Sequence, residues 1–294
     1  MGAAAGKTPG GPGGGKKEDE STKIEFINLV DPLIQTMKNS NFNLASLSAS
    51  ALVNLCNYSE DIKDIFLQQN GLNAILEYMT CKEEDTLLNI LRLLLALIAN
   101  SEPIGKLICE ENDNEAIYSL LNILKGPSIP NTRFSIKITF FALTIMRALI
   151  RHSMTPKMLF VRDHAALDSI LSHIKPDAGK GAPINEQTEV CIYSFFLQVI
   201  REEAEYKRII GKKLIPLCSK RLAKAAEIPF TSSACEAKFF KMLGVLIKKC
   251  KDNIYLVRGG MKDRLQQYKN SLAKDPKLKK KIGMIITAVD EFEE

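Results

Sequence analysis

At 294 residues, with 46% hydrophobic and 25% charged side chains, the chain has a globular balance and enough length to bury a continuous core as one domain, two domains or a solenoid. The formal charge of +6 is uneven: residues 200–294 carry 22 Lys/Arg against 12 Asp/Glu, while the preceding part is net negative by four, so one end suits a polyanionic partner. The longest apolar runs, such as 93–99, fall far short of the ~18 residues that span a bilayer, and residues 1–17 lack the apolar core of a secretory signal.

Residues 1–21, MGAAAGKTPGGPGGGKKEDES, are Gly-rich without apolar periodicity and are expected to form a flexible tail ahead of a helical domain over 22–294. The triplet Gly6-Lys7-Thr8 has no Gly at the spacing a phosphate-binding loop needs. Lys17 likewise stands where a second candidate loop would need Ser or Thr. A first helix is expected over 22–39. From there the pattern is helical almost without a break, and no segment alternates long enough to make a strand. The expected fold class is all-α.

The helices recur in a fixed order. A long apolar helix around 43–57 is followed by the short IKDIFLQQ and the medium NGLNAILEYM. The same order returns at 87–100, 135–152, 189–202 and 234–250, and a cap helix over 276–291 closes the chain. The long helices are apolar nearly all round; in LLNILRLLLALIAN only Asn89, Arg92 and Asn100 interrupt the run. Such a helix must be covered on several sides, which stacked neighbours do. Ser59, Ser101 and Thr155 sit where caps for the short helices are needed, and Gly71 stands where a left-handed turn is easiest for glycine. Loops at 126–131, 175–186 and 227–231 lengthen the spacing.

The run ALVNLCNYSEDIKDIFLQQNGLNAILEYM resembles an armadillo repeat, with a long third helix, a short first helix, a Gly at the sharp turn and a second helix. The resemblance covers about 22–272 and implies a right-handed superhelical solenoid of about five three-helix repeats. Nuclear-import receptors of this type carry a recurring Trp and Asn on the long helix. Here Asn57 matches the Asn position, Val53 stands at the Trp position, the chain contains no Trp, and Ile98 replaces the next Asn. The stretch 238–268 resembles the last repeats of the armadillo-type subunit of an mRNA deadenylation complex in order and spacing. Short armadillo proteins of ciliary axonemes are a third comparison.

Catalytic chemistry finds little support. The seven cysteines lie singly among apolar residues, with no C-x-x-C and no Cys/His pair at metal spacing, which predicts reduced thiols and neither metal nor cofactor. His164 and His173 are nine apart, about 180° around a helix, and cannot share a metal. Binding features are clearer. The polar residues that interrupt the long helices, Asn54, Asn57, Arg92, Asn100, Arg147, Arg151, Gln198 and Arg201, are expected to face a concave partner-binding groove. Arg147 and Arg151 are one turn apart, a spacing that clamps a carboxylate. Lys207, Arg208, Lys212, Lys213, Lys220, Arg221, Lys248, Lys249, Lys251, Lys279, Lys280 and Lys281 are expected to align into a basic edge. Aromatic interleaving is thin, so an acidic protein surface fits better than nucleic acid.

The sequence therefore predicts a non-enzymatic adaptor or scaffold in a larger protein assembly. The partner sits in the groove, and the basic edge docks on an acidic surface such as tubulin tails. The expected setting is cytoplasmic, in a cytoskeletal or ciliary structure. The alternatives are a subunit of a deadenylation or RNA-processing complex, or an exchange factor for a chaperone or small GTPase.

Overall fold

The computed structural model describes residues 15–39, 41–126, 135–174 and 186–292, and among these it contains helices and turns but no strand. Helix α1 (Gly15–Asn39) comes first. Three groups of a long, a short and a medium helix follow: α2 (Phe42–Tyr58), α3 (Glu60–Gln68) and α4 (Gly71–Tyr78); α5 (Glu84–Ile98), α6 (Glu102–Glu110) and α7 (Glu115–Lys125); α8 (Ile136–Leu149), α9 (Thr155–Arg162) and α10 (His164–His173). The next long helix, α11 (Glu186–Val199), is followed by one helix only, α12 (Ala204–Ala223). Then come α13 (Ser233–Ile247), α14 (Lys251–Gly260), α15 (Lys262–Ser271) and the closing α16 (Pro276–Asp290).

The long helices form one layer, α2 packing on α5, α5 on α8, α8 on α11, α11 on α13 and α13 on α16. Behind it, α4 packs on α7, α7 on α10 and α12 on α15. All-round apolarity becomes all-round burial. In α11 the residues from Cys191 to Phe196 are buried without interruption, and α5 buries Leu87, Ile90, Leu91, Leu93, Leu94, Leu97 and Ile98. Each large aliphatic side chain so covered contributes about 1.5–3 kcal/mol, and the covering surfaces come from adjacent groups.

The local signals were realised with four changes. Helix α1 starts at Gly15, ahead of the expected 22. Residues 1–14, with the glycine-lysine motifs up to position 14, lie outside the described residues, as do most of the loops at 126–131 and 175–186. Ser59 caps α3 through its hydroxyl, but before α9 the capping hydroxyl is that of Ser153, which accepts from the Thr155 N–H at 3.2 Å; Thr155 is the first helical residue and Pro156 follows it.

The turn between short and medium helices is made by Asn70 (φ 59°), and by Asn114 (φ 69°) in the next group. Gly71 has a different duty: a Cβ there would lie 2.5 Å from the Phe66 ring, so the glycine lets α4 close onto α3. In the fourth group no residue takes the left-handed conformation, and the two expected helices fuse into α12. Its Gly211, which reads as a break, instead makes room for the Asn253 side chain.

A basic helical face and a lysine-ringed cleft

The expected edge residues divide into internal and surface groups. Lys207 is 6% exposed, and its Nζ donates to the Lys248 carbonyl at 2.8 Å, at the C-terminal end of α13. Lys63 does the same at the end of α5, donating to the Ala99 carbonyl at 2.7 Å and to Glu60. Lys157, also buried, lies 5.2 Å from the Tyr206 ring centroid; its burial lowers the pKa, which the nearby Glu203 and Glu202 oppose. A cation is favoured at a helix C-terminus, where carbonyls lack partners. Counted from the cap residue, Ser59, Ser153 and Glu203 each precede such a lysine by four positions. These lysines hold successive groups together.

Arg221 is internal as well. Its guanidinium donates to the Ile228 and Pro229 carbonyls, lies 4.2 Å over the Phe230 ring and faces Glu189 at 3.8 Å. Glu189 also accepts from the Tyr193 and Thr231 hydroxyls at 3.0 and 2.8 Å. The loop at 227–231 is thereby clamped to α12. Lys207 and Arg221 thus do not belong to an accessible edge. Of the others, Lys213 pairs with Asp168 at 2.6 Å and Lys251 lies 5.6 Å from the Phe292 ring, while Arg208, Lys212, Lys220, Lys248, Lys249, Lys279 and Lys280 are exposed and Lys281 is half-buried.

The long-helix layer carries the predicted groove residues at different depths. Asn54 and Asn57 are exposed at the C-terminal end of α2. Arg92 is exposed on α5, donating to Asn89 and stacking over Phe141 at 5.5 Å. Asn100 (φ 62°) makes the left-handed turn after α5, so its backbone role is structural. Asn100, Arg147 and Arg151 meet, with His152, around a groove of about 440 Å³ between the ends of α5 and α8. Gln198 donates to the Arg147 carbonyl at 3.0 Å, and Arg201 is exposed just beyond α11. The Arg147 Nε is buried without a hydrogen-bond partner, and its Nη1 reaches only the Cys191 sulfur at 3.9 Å.

Two lysines absent from the sequence expectation extend this face. Lys238 and Lys241 lie on α13, one turn apart. Burial lowers the pKa of Lys238, and the like charges of Lys241 and Arg147 lower it further. Arg147 lies on α8, which α11 separates from α13 in the layer. Their spacing with Lys248, three and seven residues, was the sequence signal: all three share one helical face.

At the last step of the layer, α13, α14 and α16 enclose a cleft of about 680 Å³. Its floor is apolar, formed by Ile247, Ile254 and Ile285 with Met284 and Ala288, and its rim holds Lys248, Lys249, Lys277, Lys280 and Lys281. No lining residue is acidic.

Among the described residues no three His, Cys, Asp or Glu side chains converge as a metal site, and no helix is long and apolar enough to cross a membrane. Burial pushes the thiols up, Cys56 to about 12 and Cys109 to about 11, so these thiols are protonated at neutral pH.

No family model matches the chain, and no curated protein sequence matches it. Solved structures do. Computationally designed armadillo repeat proteins for modular peptide recognition superpose with a TM-score of 0.67 at 10% identity, over 88% of this chain and 99% of that one. A designed armadillo repeat protein in complex with the peptide (KR)4 gives 0.65 at 8% identity, over 88% and 99%. The chain has an armadillo-type repeat fold. Identities this low carry architecture alone, and within that architecture the long helices of this chain present Arg92, Arg147, Lys238 and Lys241, and the turns after them Arg151 and Arg201.

Proposed function

We propose that the protein is a non-enzymatic binding scaffold whose long-helix layer holds an acidic, extended segment of a partner protein. The observation that carries this reading is the groove of about 440 Å³ between the ends of α5 and α8, where Arg147 and Arg151 meet and the Arg147 Nε is buried without a partner. Glu102 also lines that groove but is paired with Lys106 at 2.7 Å, so the arginines there are open to an anionic ligand. The fold supports a peptide-binding role, and one structure of similar architecture carries the basic peptide (KR)4; this chain has the opposite requirement, because the C-terminal halves of α5, α8 and α13 carry Arg92, Arg147 and Lys241 and no acid.

Stacked helices lie roughly 10 Å apart, so the three steps from α5 to α13 span about 30 Å, the reach of about nine extended residues. Arg151 and Arg147 offer paired donors for a carboxylate near the start of that path, and Lys238 and Lys241 offer point charges near its end. Acidic protein tails, such as those tubulin presents in cytoskeletal and ciliary assemblies, have this chemistry. The test is the double variant Arg147→Glu with Arg151→Glu, assayed with a fluorescein-labelled oligoglutamate peptide of about ten residues, long enough to span the path. Loss of at least tenfold in affinity with an unchanged circular dichroism spectrum supports the reading; unchanged affinity overturns it.

A further inference from the structure

We infer that the cleft between α13, α14 and α16 is an anchor pocket for a bulky apolar side chain in an acidic partner segment, a second contact that extends the acidic-partner reading above. The cleft has the size range of small-ligand pockets, and its chemistry is divided: isoleucines below, lysines around. None of the five rim lysines has a carboxylate partner among the described residues.

Two features show these charges held where the fold itself disfavours them. Lys277 lies in the first turn of α16, where the helix dipole favours acids and no acid of the helix stands; Lys280 and Lys281 follow one turn on. Lys249 adopts φ 57°, a conformation that Asn100 takes at the corresponding turn after α5 and that costs a long side chain about 1 kcal/mol. Met284, at 65% exposure, stands one turn beyond Lys280 and Lys281 with nothing over it. The cationic rim lies on both walls, one from the end of α13 and the other from α16, so it brackets a chain that runs through the cleft and suits it better than a single head group.

The chain displays the matching chemistry on itself. Asp290 pairs with Lys262 at 2.5 Å, and Phe292 lies under Lys251 and 5.9 Å from the Tyr255 ring. An aromatic flanked by acids, the sequence around Asp290, Glu291 and Phe292, is held by lysines on α14 and α15. The anchor cleft, beside it and lined by other residues, offers the same arrangement to a segment from outside. Lys248 also belongs to the helical face of Lys241, so the cleft continues the basic surface of α13.

The experiment uses the full chain and three labelled peptides: one Phe flanked by glutamate runs, the same peptide with Ser for Phe, and oligoglutamate. The Phe peptide is expected to bind at least roughly tenfold more tightly than the Ser peptide, the usual weight of a buried anchor. Ala288→Phe, which fills the cleft from an exposed position without changing charge, removes that difference and leaves oligoglutamate affinity as it was. Lys248→Glu with Lys281→Glu weakens the Phe peptide through charge and gives a second, chemically different test. Equal binding of the Phe and Ser peptides overturns the anchor pocket, as does an Ala288→Phe variant that still discriminates them. Binding to phosphatidylserine vesicles that Ala288→Phe abolishes, with no peptide discrimination, overturns it in favour of a membrane surface. The groove reading fails separately, when Arg147→Glu with Arg151→Glu leaves oligoglutamate binding intact.

Discussion

Replacing Lys207 by Met separates an internal lysine from a surface one. The side chain is 6% exposed and its ammonium donates to the Lys248 carbonyl at 2.8 Å, joining α12 to the end of α13. Met keeps the stem's packing and removes the charge. The loss is one charge-assisted hydrogen bond, about 1.5–3 kcal/mol, and part of a favourable interaction with the α13 dipole, about 0.3–1 kcal/mol. Against these stands the relief of an ammonium held out of water, so the net destabilisation is about 1–3 kcal/mol. Lys212→Met, at an exposed position of the same helix, is expected to stay within about 0.5 kcal/mol of the parent. Thermal unfolding followed by far-ultraviolet circular dichroism compares the two, and a fall of a few °C is expected for Lys207→Met alone. Equal melting curves for the two variants would refute the assignment of Lys207 to the inside of the fold.

Other outcomes follow from the same geometry. Gly71→Ala forces a methyl against the Phe66 ring and should cost about 1–3 kcal/mol in urea unfolding, whereas a helical glycine with open space beside it would gain from alanine. Arg221→Met releases the Ile228 and Pro229 carbonyls and should expose 227–231 to limited proteolysis, with the first cuts there. Of the seven thiols only Cys81 is partly exposed, so it should react first with an alkylating agent at pH 8, and Cys56, pushed up to about 12, should react only after unfolding.

How much of this was legible depended on where each signal resided. The run at 84–98 shows its burial in its own composition, since a helix with Leu or Ile on every side has one physical solution, a stacked layer. The helix order, the cap at Ser59 and the closing helix from Pro276 were readable for the same local reason. The fusion of α12 was not: Gly211 is required by Asn253, a residue that is distant in sequence and meets it only in the fold. Lys207 and Arg221 look like any solvated cation, because the carbonyls they satisfy belong to other elements. In the binding face, Arg147 and Arg151 were visible as a one-turn pair, but Lys238 joins that face only through the stacking of α8, α11 and α13. Met284 carries its signal in spacing alone, an apolar residue one turn from Lys280 and Lys281.

Titration of the full chain with the oligoglutamate peptide, at low salt and at ~0.5 M salt where exposed charges are screened within a few ångströms, tests the central claim most directly. The basic long-helix layer predicts saturable binding that weakens by at least tenfold in high salt and is abolished by Arg147→Glu with Arg151→Glu, while an oligolysine peptide does not bind. Preference for oligolysine, or acidic-peptide binding indifferent to both arginines, would contradict it.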